Sequence, residues 1–270
     1  MQGGLRLLGY SMDETPATPG DERKINLFWQ ATDTPAAKYT AFVQLLDRQG
    51  RVAAGWEAPP GAGYPTQVWA PGTLIRTQAS IRVPANLADG SYRLIAGLFR
   101  AQDKSRLLTA GGDDAFALGR LKVQGRPHET NPPNPARVVD VEFDNLARLV
   151  GYDPAQPAEG VKPGENVPLT LYWQALGASE RPCTVFVHLL DDRGDILGYG
   201  DSEPAGGELP TTGWVAGEYV KDPHEVAIRA DAPPGTYRLA IGVYDPGTGE
   251  RLKTPDGADY IVLDPPLIVR

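Results

Sequence analysis

The chain has 270 residues, with 26 Lys plus Arg against 34 Asp plus Glu and a net charge of −8. That balance argues against nucleic acid as a partner, because a phosphate backbone is bound mainly through Lys and Arg. A single cysteine, Cys183, excludes an internal disulfide and a cysteine-cluster zinc site, and no run approaches about 18 consecutive apolar residues, so direct membrane insertion is not expected.

Along the chain, short strand-like runs alternate with turns. Leu7-Leu8-Gly9-Tyr10 is followed by Pro19-Gly20, by Leu27-Phe28-Trp29-Gln30-Ala31, and by Thr40-Ala41-Phe42-Val43-Gln44-Leu45-Leu46-Asp47. A loop-like Pro65-Thr66-Gln67-Val68-Trp69 and a strand opening at Gly90-Ser91-Tyr92-Arg93-Leu94 come next. Every one of these returns in the same order about 144 positions later: Leu149-Val150-Gly151-Tyr152, Pro163-Gly164, Leu171-Tyr172-Trp173-Gln174-Ala175, Thr184-Val185-Phe186-Val187-His188-Leu189-Leu190-Asp191, Pro210-Thr211-Thr212-Gly213-Trp214 and Gly235-Thr236-Tyr237-Arg238-Leu239. A conserved order with a near-constant offset means duplication. The repeats span residues 1–124 and 137–270, and residues 125–136, rich in proline, read as an extended spacer with His128 solvated inside it. The second copy opens with a strand-like Val138-Val139-Asp140-Val141-Glu142-Phe143 whose partner would fall at or before residue 1. On that ground the first copy is expected to be clipped at its N-terminus, and the chain to be a piece of a longer polypeptide.

Both copies read as all-β. Thr184 to Leu190 and Gly235 to Tyr244 alternate in the strand period, and turn sequences such as Asp47-Arg48-Gln49-Gly50, Asp191-Asp192-Arg193-Gly194 and Asp245-Pro246-Gly247 punctuate them. Seven or eight short strands per copy predict two tandem antiparallel β-sandwiches, immunoglobulin-like or fibronectin-like, joined by the proline-rich linker. Trp29 and Trp173 are the expected core centres. Tyr92 and Tyr237, each just after a strand-opening glycine, match a tyrosine corner, and Cys183, aligned with Tyr39, reads as a small buried residue.

Catalytic chemistry is hard to find. The chain has no Gly-x-Ser-x-Gly elbow, and His188 aligns with Gln44, so a shared catalytic imidazole is excluded. His224, in Lys221-Asp222-Pro223-His224, reads as part of a turn. The acidic group Asp191, Asp192, Asp195, Asp201 and Glu203 reads as turn caps; it lacks the spacing of a calcium loop, so neither metal nor cofactor is expected. The repeated Trp69 and Trp214, flanked by Pro and Gly, have two readings. Each either plugs an open edge of its own sandwich or, with Trp56 and Tyr199 and helped by Tyr64 and Tyr219, offers an exposed platform for a sugar.

The motifs Leu-x-Gly-Tyr, Leu-Tyr-Trp-Gln-Ala, Val-Phe-Val-His-Leu-Leu-Asp, Pro-Thr-x-x-Trp-x-x-Gly and Gly-x-Tyr-x-Leu-x-x-Gly-x-Tyr-Asp together resemble a known group. These are β-sandwich modules found, often in tandem, at the C-termini of bacterial multi-pass membrane proteins of the glycosyltransferase (dolichyl-phosphate mannosyltransferase-like) type. The first copy departs at Gln44 and at Phe99-Arg100. The resemblance implies a non-catalytic, extracytoplasmic structural or interaction module, with the parent's membrane portion or a glycan as partner and no catalytic residues to carry over. A carbohydrate-binding module is the alternative. An enzyme comes third and would need two carboxylates about 5–10 Å apart across a cleft, or a bound metal.

Overall fold

The computed structural model describes residues 3–154 and 160–270. The chain divides into two compact units, Met1–Arg126 and Pro127–Arg270. The clipped strand expected at or before residue 1 lies outside the described residues. The described chain is built of antiparallel strands, with three short 3-10 turns and no α-helix.

Seven strands cross the first unit: β1 (Leu5–Met12), β2 (Glu22–Ala31), β3 (Tyr39–Leu46), β4 (Val52–Ala58), β5 (Leu74–Arg82), β6 (Gly90–Arg100) and β7 (Phe116–Val123). They form two sheets, in the orders β1-β2-β5 and β4-β3-β6-β7. The alternation in β2 sends Ile25, Leu27 and Trp29 inward to meet Ala41, Val43 and Leu45 of β3 and Leu94, Ala96 and Leu98 of β6. Two sheets closed over one apolar layer make a β-sandwich.

The second unit has eight strands: β8 (Arg137–Phe143), β9 (Ala147–Pro154), β10 (Asn166–Ala175), β11 (Thr184–Leu190), β12 (Ile196–Tyr199), β13 (Tyr219–Ile228), β14 (Gly235–Tyr244) and β15 (Ile261–Val269). Here one sheet runs β15-β14-β11-β12-β13-β10-β9-β8. Its two halves are joined where Gly198 and Tyr199 of β12 pair with Ile228 and Ala227 of β13. Glycine makes this seam possible, because a Cβ on Gly198 or Gly200 would stand 2.8 Å from the β13 backbone. Trp173 is fully buried at the centre of the core, with the Phe143 ring edge-on at 5.8 Å.

Several devices occur in both units. The Tyr92 hydroxyl donates to the Ala88 carbonyl at 2.7 Å and Tyr237 to Pro233 at 2.5 Å, each four residues upstream, as the corner motif requires. Ala17 makes a parallel bridge to Val123, and Val161 does so to Val269. On the outer sheet face, Arg106 stacks on Phe42 at 4.4 Å and Arg251 on Phe186 at 4.5 Å. Both phenylalanines are buried because Gly97 and Gly242 leave room for their rings; a Cβ on Gly97 would meet Phe42 Cζ at 2.6 Å.

The segment expected to be a solvated spacer runs along the second unit. The Tyr219 N–H donates to the Glu129 carbonyl at 2.7 Å, and the Ala136 N–H donates to Asp153 at 2.7 Å. His128 is half-buried and not simply solvated: its Nδ1 lies 2.8 Å from Oε2 of the buried Glu218. A buried carboxylate needs donors, and that need draws the imidazole down.

Candidate functional site

The four aromatic candidates for a sugar platform do not converge. Trp69 and Trp214 are 0% and 1% exposed, so neither ring presents a face to a ligand. The repeated Pro-Thr-x-x-Trp motif explains this placement. It makes a 3-10 turn, at Thr66–Val68 in one unit and Thr211–Gly213 in the other, that drops the indole into the core. Each indole N–H donates to a carbonyl five residues upstream, Trp69 to Tyr64 at 3.1 Å and Trp214 to Leu209 at 2.8 Å. The motif's threonine ties the turn back to the start of β3 or β11: Thr66 Oγ1 accepts from the Tyr39 N–H at 3.1 Å, and Thr211 Oγ1 from the Cys183 N–H at 2.9 Å. Trp56 is half-buried against the first core. Tyr199 alone of the four is well exposed, at 54%. Of the two helpers, Tyr64 leans on Trp69 and Tyr219 accepts a hydrogen bond from Gln174.

The acidic group is divided by the fold. Asp191 caps its hairpin turn, accepting the Arg193 and Asp195 N–H groups at 2.8 and 2.9 Å; the Asp195 N–H foremost holds its carboxyl below the usual range. Asp47 does the same in the first unit, accepting from Gln49 and Arg51. Asp201 instead turns to His188, 3.3 Å from Nε2. No group of three or more His, Cys, Asp or Glu side chains is arranged to hold a metal among the described residues.

The largest surprise is His224. It lies mid-strand on β13 rather than in a turn, because Pro223 fits a strand whose other edge is unpaired there. Val220, Asp222, His224, Val226 and Ile228 all point inward, so strand alternation carries two polar side chains into an apolar core. Both side chains are fully buried, with His224 Nε2 2.8 Å from Asp222 Oδ2. The same Oδ2 accepts the Trp173 indole N–H at 3.0 Å, and Oδ1 accepts the Ala205 N–H at 2.8 Å. On its other side, His224 Nδ1 lies 2.7 Å from the Gly200 carbonyl and 3.2 Å from Ser202 Oγ.

Serine, histidine and aspartate are thus brought together in a chain whose sequence shows no such motif. The proton positions decide what the trio can do. A carbonyl oxygen only accepts, so Nδ1 must carry a hydrogen and donate it to Gly200. Burial works against the imidazolium, but the hydrogen bond to Asp222 and its charge, with the Gly200 carbonyl, outweigh it and raise the His224 pKa above its ordinary value. With Nδ1 donating, no lone pair faces Ser202, and the serine lacks the base that a nucleophile requires.

The first unit supplies an internal comparison. Leu27 faces Thr77 across β2 and β5, while Leu171 faces Asp222 across β10 and β13; one step along, Ile25 faces Ala79 and Leu169 faces His224. The twin therefore carries Thr77 and Ala79 in place of Asp222 and His224. Its Trp29 Nε1 is buried without a hydrogen-bond partner. The fold closes without the ionic pair.

Above the pair, a surface groove of about 580 Å³ is lined by His188, Tyr199, Asp201, Ser202, Gly206 and Glu225, with Gly200, Pro223 and His224 beneath. A hollow of about 690 Å³ elsewhere on the second unit is lined by Arg148, Asp140 and Glu142, where Arg148 pairs with both carboxylates.

No family model matches the chain, and no curated protein matches it. Among solved structures, the chain is similar to native Escherichia coli α-2-macroglobulin, at 10% identity and a TM-score of 0.25, over 100% of this chain and 14% of that one.

Proposed function

We propose that the chain is a pair of immunoglobulin-like or fibronectin-like modules linked by its proline-rich segment. On this reading it serves as a non-catalytic, extracytoplasmic structural or interaction part of a membrane glycosyltransferase-like protein. The topology of the first unit supports the module type: a three-stranded sheet faces a four-stranded one, and the parallel bridge of Ala17 to Val123 links the lead-in to the last strand. The attachment to a membrane enzyme, and with it the location, rests on the motif resemblance. Reading the coding frame upstream of Met1 tests it: the proposal expects membrane-spanning segments in the same polypeptide, and a stop codon there contradicts it.

One observation carries the non-catalytic reading. The Gly200 carbonyl, 2.7 Å from Nδ1, keeps a hydrogen on that nitrogen, which leaves it no lone pair to take the Ser202 hydroxyl proton. The trio works instead as a strut between β12, the 204–207 turn, β13 and the Trp173 core. A fluorophosphonate probe, which labels activated serines, provides the test. No labelling of Ser202 is expected between mildly acidic and mildly alkaline pH, and labelling that is lost in Ser202→Ala would overturn the reading.

A further inference from the structure

We propose that the groove over the β12–β13 seam of the second unit binds a neutral pyranose, with Tyr199 as its stacking face. This goes beyond the module reading above, which assigns no ligand.

The twin units carry the inference. Burying an ion pair in a core is often no more stabilising than a well-packed apolar replacement, and the first unit closes the same fold with Thr77 and Ala79 at those positions. The second unit holds its pair under a groove where another of its departures also lies. His188 stands where Gln44 does in the first unit, and its partner Asp201 joins it. Asp222 fixes the 204–207 turn through the Ala205 N–H, and His224 fixes Gly200 and Ser202. These bonds hold the walls of the groove from below. His224 and Asp222 are positioning residues, since their side chains are fully buried.

The lining chooses the ligand class. Tyr199, 54% exposed, offers the flat apolar face that the C–H side of a sugar ring covers. The Asp201 and Glu225 carboxylates accept from hydroxyls, while Ser202 both gives and takes. An anion is disfavoured by those two carboxylates. A cation finds one of them already matched, because Asp201 is bonded to His188. An extended peptide finds a poor edge to join, since β12 is paired on both sides and the unpaired edge of β13 carries Pro223, which has no N–H to donate. The volume lies within the ~300–1,000 Å³ of small-molecule sites.

The test is a titration of the intact chain with maltose, cellobiose and α-1,2-mannobiose at millimolar concentration. It is followed by the amide resonances of Gly200, Ser202 and Gly206 and by the intact sugar recovered afterwards. At least one of these neutral sugars is expected to shift the three resonances. Tyr199→Ala should then weaken binding about tenfold or more, the loss of roughly one stacking contact. Trp56→Ala, in the first unit, should leave it unchanged. Tyr199 is exposed, so its replacement leaves the core intact, and Asp201→Asn gives a second variant with a predicted loss. Absence of any shift with all three sugars, or equal binding by Tyr199→Ala, overturns the proposal. Hydrolysis of a bound sugar would uphold the site and overturn the non-catalytic reading, so the two failures are distinguishable.

Discussion

Replacing His224 with Ala leaves the Asp222 carboxylate buried with only the Trp173 and Ala205 N–H donors. Removing one partner of a buried pair costs about 3–5 kcal/mol. For a unit of this size, with about 2–4 °C of Tm per kcal/mol, that is a drop of roughly 6–20 °C in the second unit's transition. Converting both positions to the twin's residues, Asp222→Thr with His224→Ala, removes the stranded charge as well. The double variant should therefore be more stable than the sum of the two single losses predicts, with a coupling of about 1–3 kcal/mol. Urea unfolding of the four proteins, followed by Trp fluorescence, closes the cycle. The pH dependence adds a sign. Because the folded pKa of His224 is raised, the stability it contributes through protonation is complete below about pH 6.5, the unfolded value, and is lost as pH climbs through the folded value. The gap between the native chain and the double variant should narrow as pH rises above about 6.5. Additive single losses, or a gap that widens with pH, would refute the reasoning.

Three further outcomes follow from the twin comparison and the packing. Trp173→Phe should cost more than Trp29→Phe, by about 1–3 kcal/mol in calorimetry, since the first takes one donor from the buried Asp222 carboxylate and the second removes an indole N–H that has no partner. Gly97→Ala and Gly242→Ala should each destabilise their own unit by about 1–3 kcal/mol in chemical unfolding, because the new methyl meets the Phe42 or Phe186 ring. Cys183 is buried and burial raises its thiol pKa, so it should react with a thiol reagent such as DTNB only slowly in the native state and promptly in denaturant.

How much of this was legible in the sequence depends on the period of each segment. Thr184–Leu190 and Gly235–Tyr244 are strands over the spans their alternation marks, and the lead-in before Gly151-Tyr152 is β8. Repetition made the architecture readable, since a motif seen twice in one order is hard to mistake. The outer-face stacks of Arg106 on Phe42 and Arg251 on Phe186 were hidden, because alternation assigns an outward ring to solvent and says nothing of what lies over it. The candidate site was concealed by one residue. Pro223 read as a turn signal, although the run Val220, Asp222, His224, Val226, Ile228 already held the two-residue spacing of an inward face. Trp69 and Trp214 carried opposite readings because flanking Pro and Gly suit both a rigid plug and an exposed loop, and only the closure of the 3-10 turn decides between them. In the spacer, composition indicated an extended chain, but not that a buried Glu218 would hold it by His128.

The most direct measurement is the protonation of the His224 imidazole, read from its two ring nitrogen shifts by long-range ¹H–¹⁵N correlation near neutral pH. The account predicts a hydrogen on both nitrogens, with Nδ1–H donating to Gly200. A bare Nδ1 facing Ser202, with hydrogen on Nε2 alone, would contradict it and reopen the serine as a nucleophile.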